Sequence, residues 1–160
     1  MTIRRMTLSD ISQVLDLIER SSLSELVHTT AEALHSGSLE FEQTFPEMQW
    51  KQYVWEENGL QGTFVLHWNP QNLLLEGTPH YCVLYETFWD PKQPELLARQ
   101  VMLEAALQLV REKNLQTLVV LQNSLNGDLQ TYRNLGGEWV QLKDSRGRIL
   151  NKPTIAFCLE

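Results

Sequence analysis

The sequence predicts one α/β domain, with a mixed sheet covered by helices on both faces. Three observations lead to this class. Segments with apolar residues at helical spacing follow short apolar runs typical of strands along the whole chain. A strand–helix–strand unit in the middle implies a right-handed crossover and locally parallel pairing. Hairpin patterns towards both ends add antiparallel strands, so the predicted sheet is mixed.

Length and composition favour a single domain spanning residues 1–160. A chain of 160 residues with 42% hydrophobic residues is long enough to bury one core. No apolar stretch is long enough to cross a bilayer, and polar residues soon after Arg5 argue against a signal peptide. We therefore expect a cytoplasmic protein.

The net charge of −7 argues against two classes of partner. A negative surface repels phosphate backbones and anionic lipids, so we expect neither nucleic acid nor a membrane as partner. The two cysteines, Cys82 and Cys158, lie in apolar runs that read as strands, where we expect buried free thiols. A disulfide would require neighbouring strands and an oxidising compartment.

The N-terminal part reads as a short strand followed by two helices. Residues 2–6 form the strand, and Thr7 with Asp10 forms a capping-box pattern that starts the first helix. A second helix is predicted over residues 22–36. The apolar face of the first helix would comprise Leu8, Ile11, Val14, Leu15 and Ile18.

A hairpin is predicted around Asn58 and Gly59, because this dipeptide readily supplies two residues with positive φ. Its strands would span residues 52–57 and 60–68. The alternative is a helix that continues from upstream through Trp55.

Two elements form the predicted centre of the domain. Residues 80–89 are apolar on both faces in their middle, as in a strand covered from both sides. A helix follows from Pro94, which fits a first helical position, and Asn114 supplies a left-handed cap. Its apolar side would comprise Leu96, Leu103, Ala106, Leu107 and Val110.

The C-terminal part continues with a strand over residues 117–121 and a helix over about 126–135, ended by two glycines. A hairpin of residues 138–142 and 154–159 closes the chain. Residues 73–76 could add a further strand.

Five strings in this order resemble landmarks of the GNAT superfamily of N-acetyltransferases. They lie at residues 3–10, 56–64, 88–91, 103–113 and 123–137. The resemblance covers essentially the whole chain. It implies a mixed sheet of about six to seven strands with about four helices, and acetyl-CoA as co-substrate.

One departure from the family pattern concerns its Q/R-x-x-G-x-G/A loop. The corresponding residues here are Pro94, Glu95, Leu96, Leu97, Ala98 and Arg99, so both glycines are missing. By resemblance, Leu97, Ala98 and Arg99 would bind the diphosphate of coenzyme A, with Arg99 as a charged ligand. The bulk of Leu97 and the charge of Glu95 favour the alternative, a capped helix that binds nothing.

The resemblance also assigns roles to residues outside this loop. Tyr132 would protonate the departing thiolate, Asn126 would help to hold the cofactor, and the backbone of Phe88 and Trp89 would pair with the pantetheine arm. The alternatives are a tyrosine packed against the sheet and an asparagine that only caps a helix.

Glu86 is a candidate general base on its own residue pattern. It lies in an apolar run, where desolvation raises the pKa of a carboxyl group. It could equally point to solvent or pair with an arginine. His28 and His35 could share a helix face, but two ligands without a third make no metal site, so we predict no metal.

These residues give three hypotheses for function. The first is transfer of an acetyl group from acetyl-CoA to a small-molecule or protein amine, with a cationic acceptor mildly favoured by the acidic surface. The second is a catalytically inactive GNAT-fold interaction or sensing module that has lost acetyl-CoA binding. The third is a different ligand in the cleft between the fourth and fifth strands. Exposed members of the five tryptophans could form an interface, including one between two copies of the chain.

Overall fold

The computed structural model describes residues 1–21, 50–68, 73–75, 80–121, 129–144, 146–150 and 153–159. The strands in this part are β1 (Thr2–Arg5), β2 (Trp50–Glu56), β3 (Leu60–Trp68), β4 (Leu73–Leu75), β5 (Cys82–Trp89), β6 (Thr117–Leu121), β7 (Glu138–Val140), β8 (Leu142–Asp144) and β9 (Thr154–Cys158). The α-helices are α1 (Ile11–Arg20), α2 (Glu95–Glu112) and α3 (Gln130–Asn134).

Seven strands form the main sheet in the order β1-β2-β3-β5-β6-β9-β7. The pair β5–β6 is parallel, and the other pairs in this sheet are antiparallel. The predicted mixed sheet is therefore confirmed. Cores lie on both of its faces: α2 and α3 cover one face and α1 packs on the other.

The C-terminal hairpin differs from the prediction in one respect. β7 pairs with β9 as expected, but it ends at Val140, and the chain continues as β8, which pairs with β4 in a separate two-stranded sheet. The predicted single strand over residues 138–142 is wrong. Leu142 is fully buried with Val83 and Val119, so the break lets this leucine enter a core on the sheet.

The first helix and the first hairpin lie where the local sequence patterns predict them. The backbone N–H of Thr7 donates to Asp10 Oδ2 at 2.8 Å, as a capping box requires. Leu8 is exposed rather than buried, because it lies in a 3₁₀ turn ahead of α1. Asn58 and Gly59 have φ of 55° and 99°, so the hairpin is confirmed and a helix through Trp55 is excluded.

Both cysteines are free thiols. Cys82 is buried in β5, and burial raises the pKa of its thiol. Cys158 is exposed at the end of β9, so its predicted burial is wrong. The predicted helix over residues 22–36, with His28 and His35, lies outside the described residues.

An ion-pair cluster joins the N-terminal strand to the first turn and predicts acid sensitivity. Arg4 donates to both carboxylate oxygens of Asp10 at 2.7 and 2.9 Å and to Glu56 at 2.8 Å. The Arg4 hydrogen bond is the largest influence on the Asp10 carboxyl, and it helps lower its pKa from 3.8 to about 2.

A lowered carboxyl pKa stabilises the fold above pH 4, and this contribution is lost as the pH falls from about 4 to about 2. We expect Asp10→Asn to cost roughly 1–2 kcal/mol at pH 7 and almost nothing at pH 2. Urea unfolding of both proteins at the two pH values measures this difference. An equal cost at both would show that the charge of Asp10 contributes nothing.

Candidate active site

Among the described residues, the parallel strands β5 and β6 pair near the start of β5, from Cys82 with Leu118 to Leu84 with Val120. β5 itself continues to Trp89. Open α/β sheets usually bind ligands at the carboxyl ends of their parallel strands, so the residues around the end of β5 are the candidates for a site.

A β-bulge determines on which face of the sheet the last side chains of β5 lie. Thr63 of β3 pairs with Phe88, whereas Val65 pairs with Tyr85, so β5 carries one extra residue between them. After the bulge Trp89 packs on the α2 side of the sheet, and Phe88 is buried on the α1 side. Trp89 therefore contributes its ring to the side on which α2 and α3 lie.

The turn from β5 into α2 is held by Asp90. Its side chain accepts hydrogen bonds from the backbone N–H of Lys92 at 2.9 Å and from Arg20 of α1 at 2.6 Å. The Lys92 N–H has the largest effect on the carboxyl group, and the two contacts lower the Asp90 pKa. The backbone N–H of Asp90 donates to the Gln61 carbonyl at 2.8 Å. These bonds fix the start of α2 relative to β3 and α1.

α2 begins at Glu95, one residue later than predicted, because Pro94 has an extended ψ of 133°. The first intrahelical bond runs from Ala98 N–H to Pro94 O at 2.9 Å, which leaves the amides of Glu95, Leu96 and Leu97 without helical partners. In the described part of the chain no side chain caps them. Such amides at the positive end of a long helix can bind an anion.

The predicted apolar side of α2 is confirmed in the later turns of the helix but not in its first turn. Leu96 is 58% exposed and Leu97 is 48% exposed, so placing Leu96 on the apolar side was wrong. Ala98, Arg99 and Met102 are buried instead. Leu96 faces solvent, whereas Arg99 faces aromatic rings on neighbouring elements.

Arg99 is 3% exposed and joins three elements. Its Nε and Nη2 donate to Glu95 Oε1 at 3.1 and 3.0 Å. Its guanidinium carbon lies 4.9 Å from the ring centroid of Trp89 and 5.4 Å from that of Tyr132. Ring contacts and a carboxylate together make burial of this cation tolerable.

Tyr132 of α3 is fully buried, and its hydroxyl has no hydrogen-bond partner in the described part of the structure. An unpaired buried hydroxyl carries a desolvation cost of roughly 1–3 kcal/mol. The predicted alternative, a ring packed in the core, is correct for the aromatic carbons but does not account for the hydroxyl. The orphaned donor fits a bound group that accepts a hydrogen bond.

The structure brings together part of the predicted site. Trp89, Arg99 and Tyr132 lie in contact, beside the turn that carries Leu97 and Ala98. Phe88 is in the adjacent strand position, with its side chain on the opposite face. Asn126 and the side chain of Glu86 lie outside the described residues, so their roles stay predictions.

Two features of this site were not predicted from the sequence. One is the ion pair of Glu95 with Arg99, although a spacing of four residues on a helix is itself a signal for an ion pair. The other is the contact of the Trp89 ring with the Arg99 guanidinium.

The described residues contain no group of three side chains suited to a metal ion, and none of their helices has the length and apolarity to span a bilayer.

The strand order and the helices on the two faces of the sheet define the fold. The chain has the fold of the GNAT acetyltransferases. It is similar to a probable acetyltransferase from Staphylococcus epidermidis ATCC 12228, with 15% identity, 99% of both chains covered and a TM-score of 0.67.

Two further similar structures contain a ligand. A GNAT family acetyltransferase from Brucella melitensis in complex with acetyl-CoA has 19% identity, coverage of 98% of this chain and 94% of that one, and a TM-score of 0.59. A PaiA N-acetyltransferase from Thermoplasma acidophilum in complex with coenzyme A has 12% identity, 98% of both chains covered and a TM-score of 0.64. No family model matches the chain, and no curated protein matches it in sequence.

Proposed function

We propose that this protein is an N-acetyltransferase that transfers an acetyl group from acetyl-CoA directly to an amine. The observation that carries the proposal is the buried, unpaired hydroxyl of Tyr132, in contact through Arg99 with the end of β5. Similar folds that hold acetyl-CoA or coenzyme A support the choice of co-substrate. The free thiols suit the reducing cytoplasm, where we expect the reaction to run.

The start of α2 would hold the diphosphate of the co-substrate. Residues 95–97 are exposed, and no side chain in the described part of the chain caps their amides. The negative charge of Glu95 is engaged by Arg99 at 3.0 Å, which offsets its repulsion of an anion. The loss of the family glycines therefore weakens this site without removing its donors.

Each catalytic role is assigned to one group of the chain. Bound acetyl-CoA would supply the activated acetyl thioester. Tyr132 would hold a proton at Oη for the departing sulfur, and Glu86 would take the proton of the acceptor amine at its carboxylate. Asn126 and the backbone of Phe88 and Trp89 would orient the co-substrate. The acceptor would be a small-molecule or protein amine, with the net charge of −7 favouring a cationic one.

Thermal unfolding with acetyl-CoA tests the binding step without knowledge of the acceptor. At a hundredfold excess over Kd, a ligand of the folded state contributes about 2.7 kcal/mol. For a chain of this length we expect a rise in Tm of roughly 5–10 °C. Pantetheine, which lacks the diphosphate, is the matched control and should shift Tm much less. If millimolar acetyl-CoA leaves Tm unchanged, the proposal fails.

A second candidate function has its own observation. The buried guanidinium of Arg99, on the side of the sheet where a thioester would lie, favours a GNAT-fold interaction or sensing module that has lost acetyl-CoA binding. Assays with acetyl-CoA, a lysine-rich peptide and a polyamine separate the two candidates. Acetylation of either amine supports the enzyme, whereas no product together with no Tm shift supports the module.

A further inference from the structure

Arg99 occupies a position at which the family pattern has a small residue. It is the last residue of the segment that resembles Q/R-x-x-G-x-G/A, where the family pattern has glycine or alanine. Here a long side chain extends from α2 into the space bordered by Trp89 of β5 and Tyr132 of α3. The residue is 3% exposed, so protein atoms cover the side chain almost completely.

The contacts of Arg99 hold it in that space. Glu95 accepts two hydrogen bonds from the guanidinium through a single oxygen, Oε1. Both aromatic rings add cation–π attraction. The Glu95 side chain is 62% exposed, so water can reach the carboxylate that accepts these hydrogen bonds.

We propose that Arg99 blocks the space between Trp89 and Tyr132, where the thioester of acetyl-CoA would lie, and that a ligand enters this space only when the Arg99 side chain leaves its contacts with the two rings. This inference rests on the proposed use of coenzyme A. The diphosphate is bound by the amides at the start of α2, and Arg99 contributes a barrier rather than a phosphate ligand. The apparent affinity is then reduced by the fraction of molecules in which the side chain has moved away.

The direction in which substitutions of Arg99 change the affinity for coenzyme A separates this role from that of a phosphate ligand. Arg99→Ala restores a small residue that keeps helix propensity, and removes the obstruction. Arg99→Met keeps a long side chain in the space but removes the charge. Both variants also release Glu95 from its ion pair, so the comparison between the two variants isolates the effect of occupied space. A barrier predicts tighter binding by the alanine variant than by the methionine variant, whereas a phosphate ligand predicts equally weaker binding by both.

Isothermal titration with coenzyme A, for the wild type and both variants, is the test, with a thermal melt of each variant to establish that it is folded. We expect the Kd of Arg99→Ala to be lower than that of Arg99→Met by about tenfold or more. Tighter binding by Arg99→Ala also supports the inference if the wild type binds too weakly to measure. Weak binding by the wild type would then favour the non-catalytic module.

Three results would overturn the inference. Weaker binding by both variants would make Arg99 a phosphate ligand and leave the proposed function intact. Equal tightening by both would assign the effect to charge rather than to occupied space. No binding by any of the three proteins at millimolar coenzyme A would end both the inference and the proposed function.

Discussion

Tyr132→Phe should lower the turnover of acetyl-CoA with an amine acceptor by about 10²–10⁴-fold, because a positioned acid typically contributes that much to the rate. The Michaelis constant for acetyl-CoA should change by less than about twofold, since the phenylalanine ring keeps the same packing. Steady-state assays with acetyl-CoA and the lysine-rich peptide or the polyamine measure both values. Unchanged turnover would remove Tyr132 from the mechanism.

The free energy of unfolding of the same variant is a second readout, because a tyrosine with a purely structural role would give a different result. The Tyr132 hydroxyl is buried and has no partner among the described residues, so its removal should leave the free energy of unfolding unchanged or slightly higher. Tyr53→Phe is the matched control, because Tyr53 is also buried but stacks on Phe64, at 5.4 Å between ring centroids, two strands away from β5. That control should keep full turnover.

Gly137→Ala should destabilise the protein by about 2–4 kcal/mol, one of the larger effects expected of a single substitution. A Cβ at this position would overlap Ile155 Cγ2 and would lie 2.9 Å from Phe157 Cζ and 3.1 Å from the Tyr132 carbonyl oxygen. β9 is paired with both β6 and β7, so it cannot move away easily. Tm should fall by roughly 5–15 °C.

Gly136→Ala is the control for this prediction. Gly136 has φ of 109° and nothing near its missing Cβ, so alanine there meets backbone strain of about 1–2 kcal/mol without a clash. Chemical denaturation of the two variants compares them directly. If Gly137→Ala costs no more than Gly136→Ala, the end of α3 can shift on β9, and the position of Tyr132 is less firmly set than its contacts suggest.

The parts of the fold that were predictable depend on neighbours in sequence. The capping box of Thr7 and Asp10 and the turn at Asn58 and Gly59 are local, so the residues themselves determine them. The order of segments then gave the mixed sheet. What failed depends on distant contacts: β8 leaves β7 because Leu142 has a core to enter, and that core is built by β5 and β6.

The candidate site was predictable in position but not in geometry. Resemblance located Trp89, Arg99 and Tyr132, and the structure brings them into contact. An amphipathic helical pattern assigns leucine to the buried side and arginine to the surface, so it predicted a buried Leu96. It carries no information about the rings on two other elements that make burial of the arginine possible. The direction of the Arg99 side chain, on which its proposed role depends, follows from tertiary structure alone.

The extra residue in β5 has a consequence for how this chain can change. It reverses the alternation of the strand, so that Trp89 and not Phe88 lies on the α2 side. Loss of a single codon there would exchange the two aromatic side chains: the indole would enter the layer beneath α1, and Arg99 would meet a phenyl ring without an N–H. We therefore expect this strand to tolerate the insertion or deletion of one residue far less than a substitution at the same position.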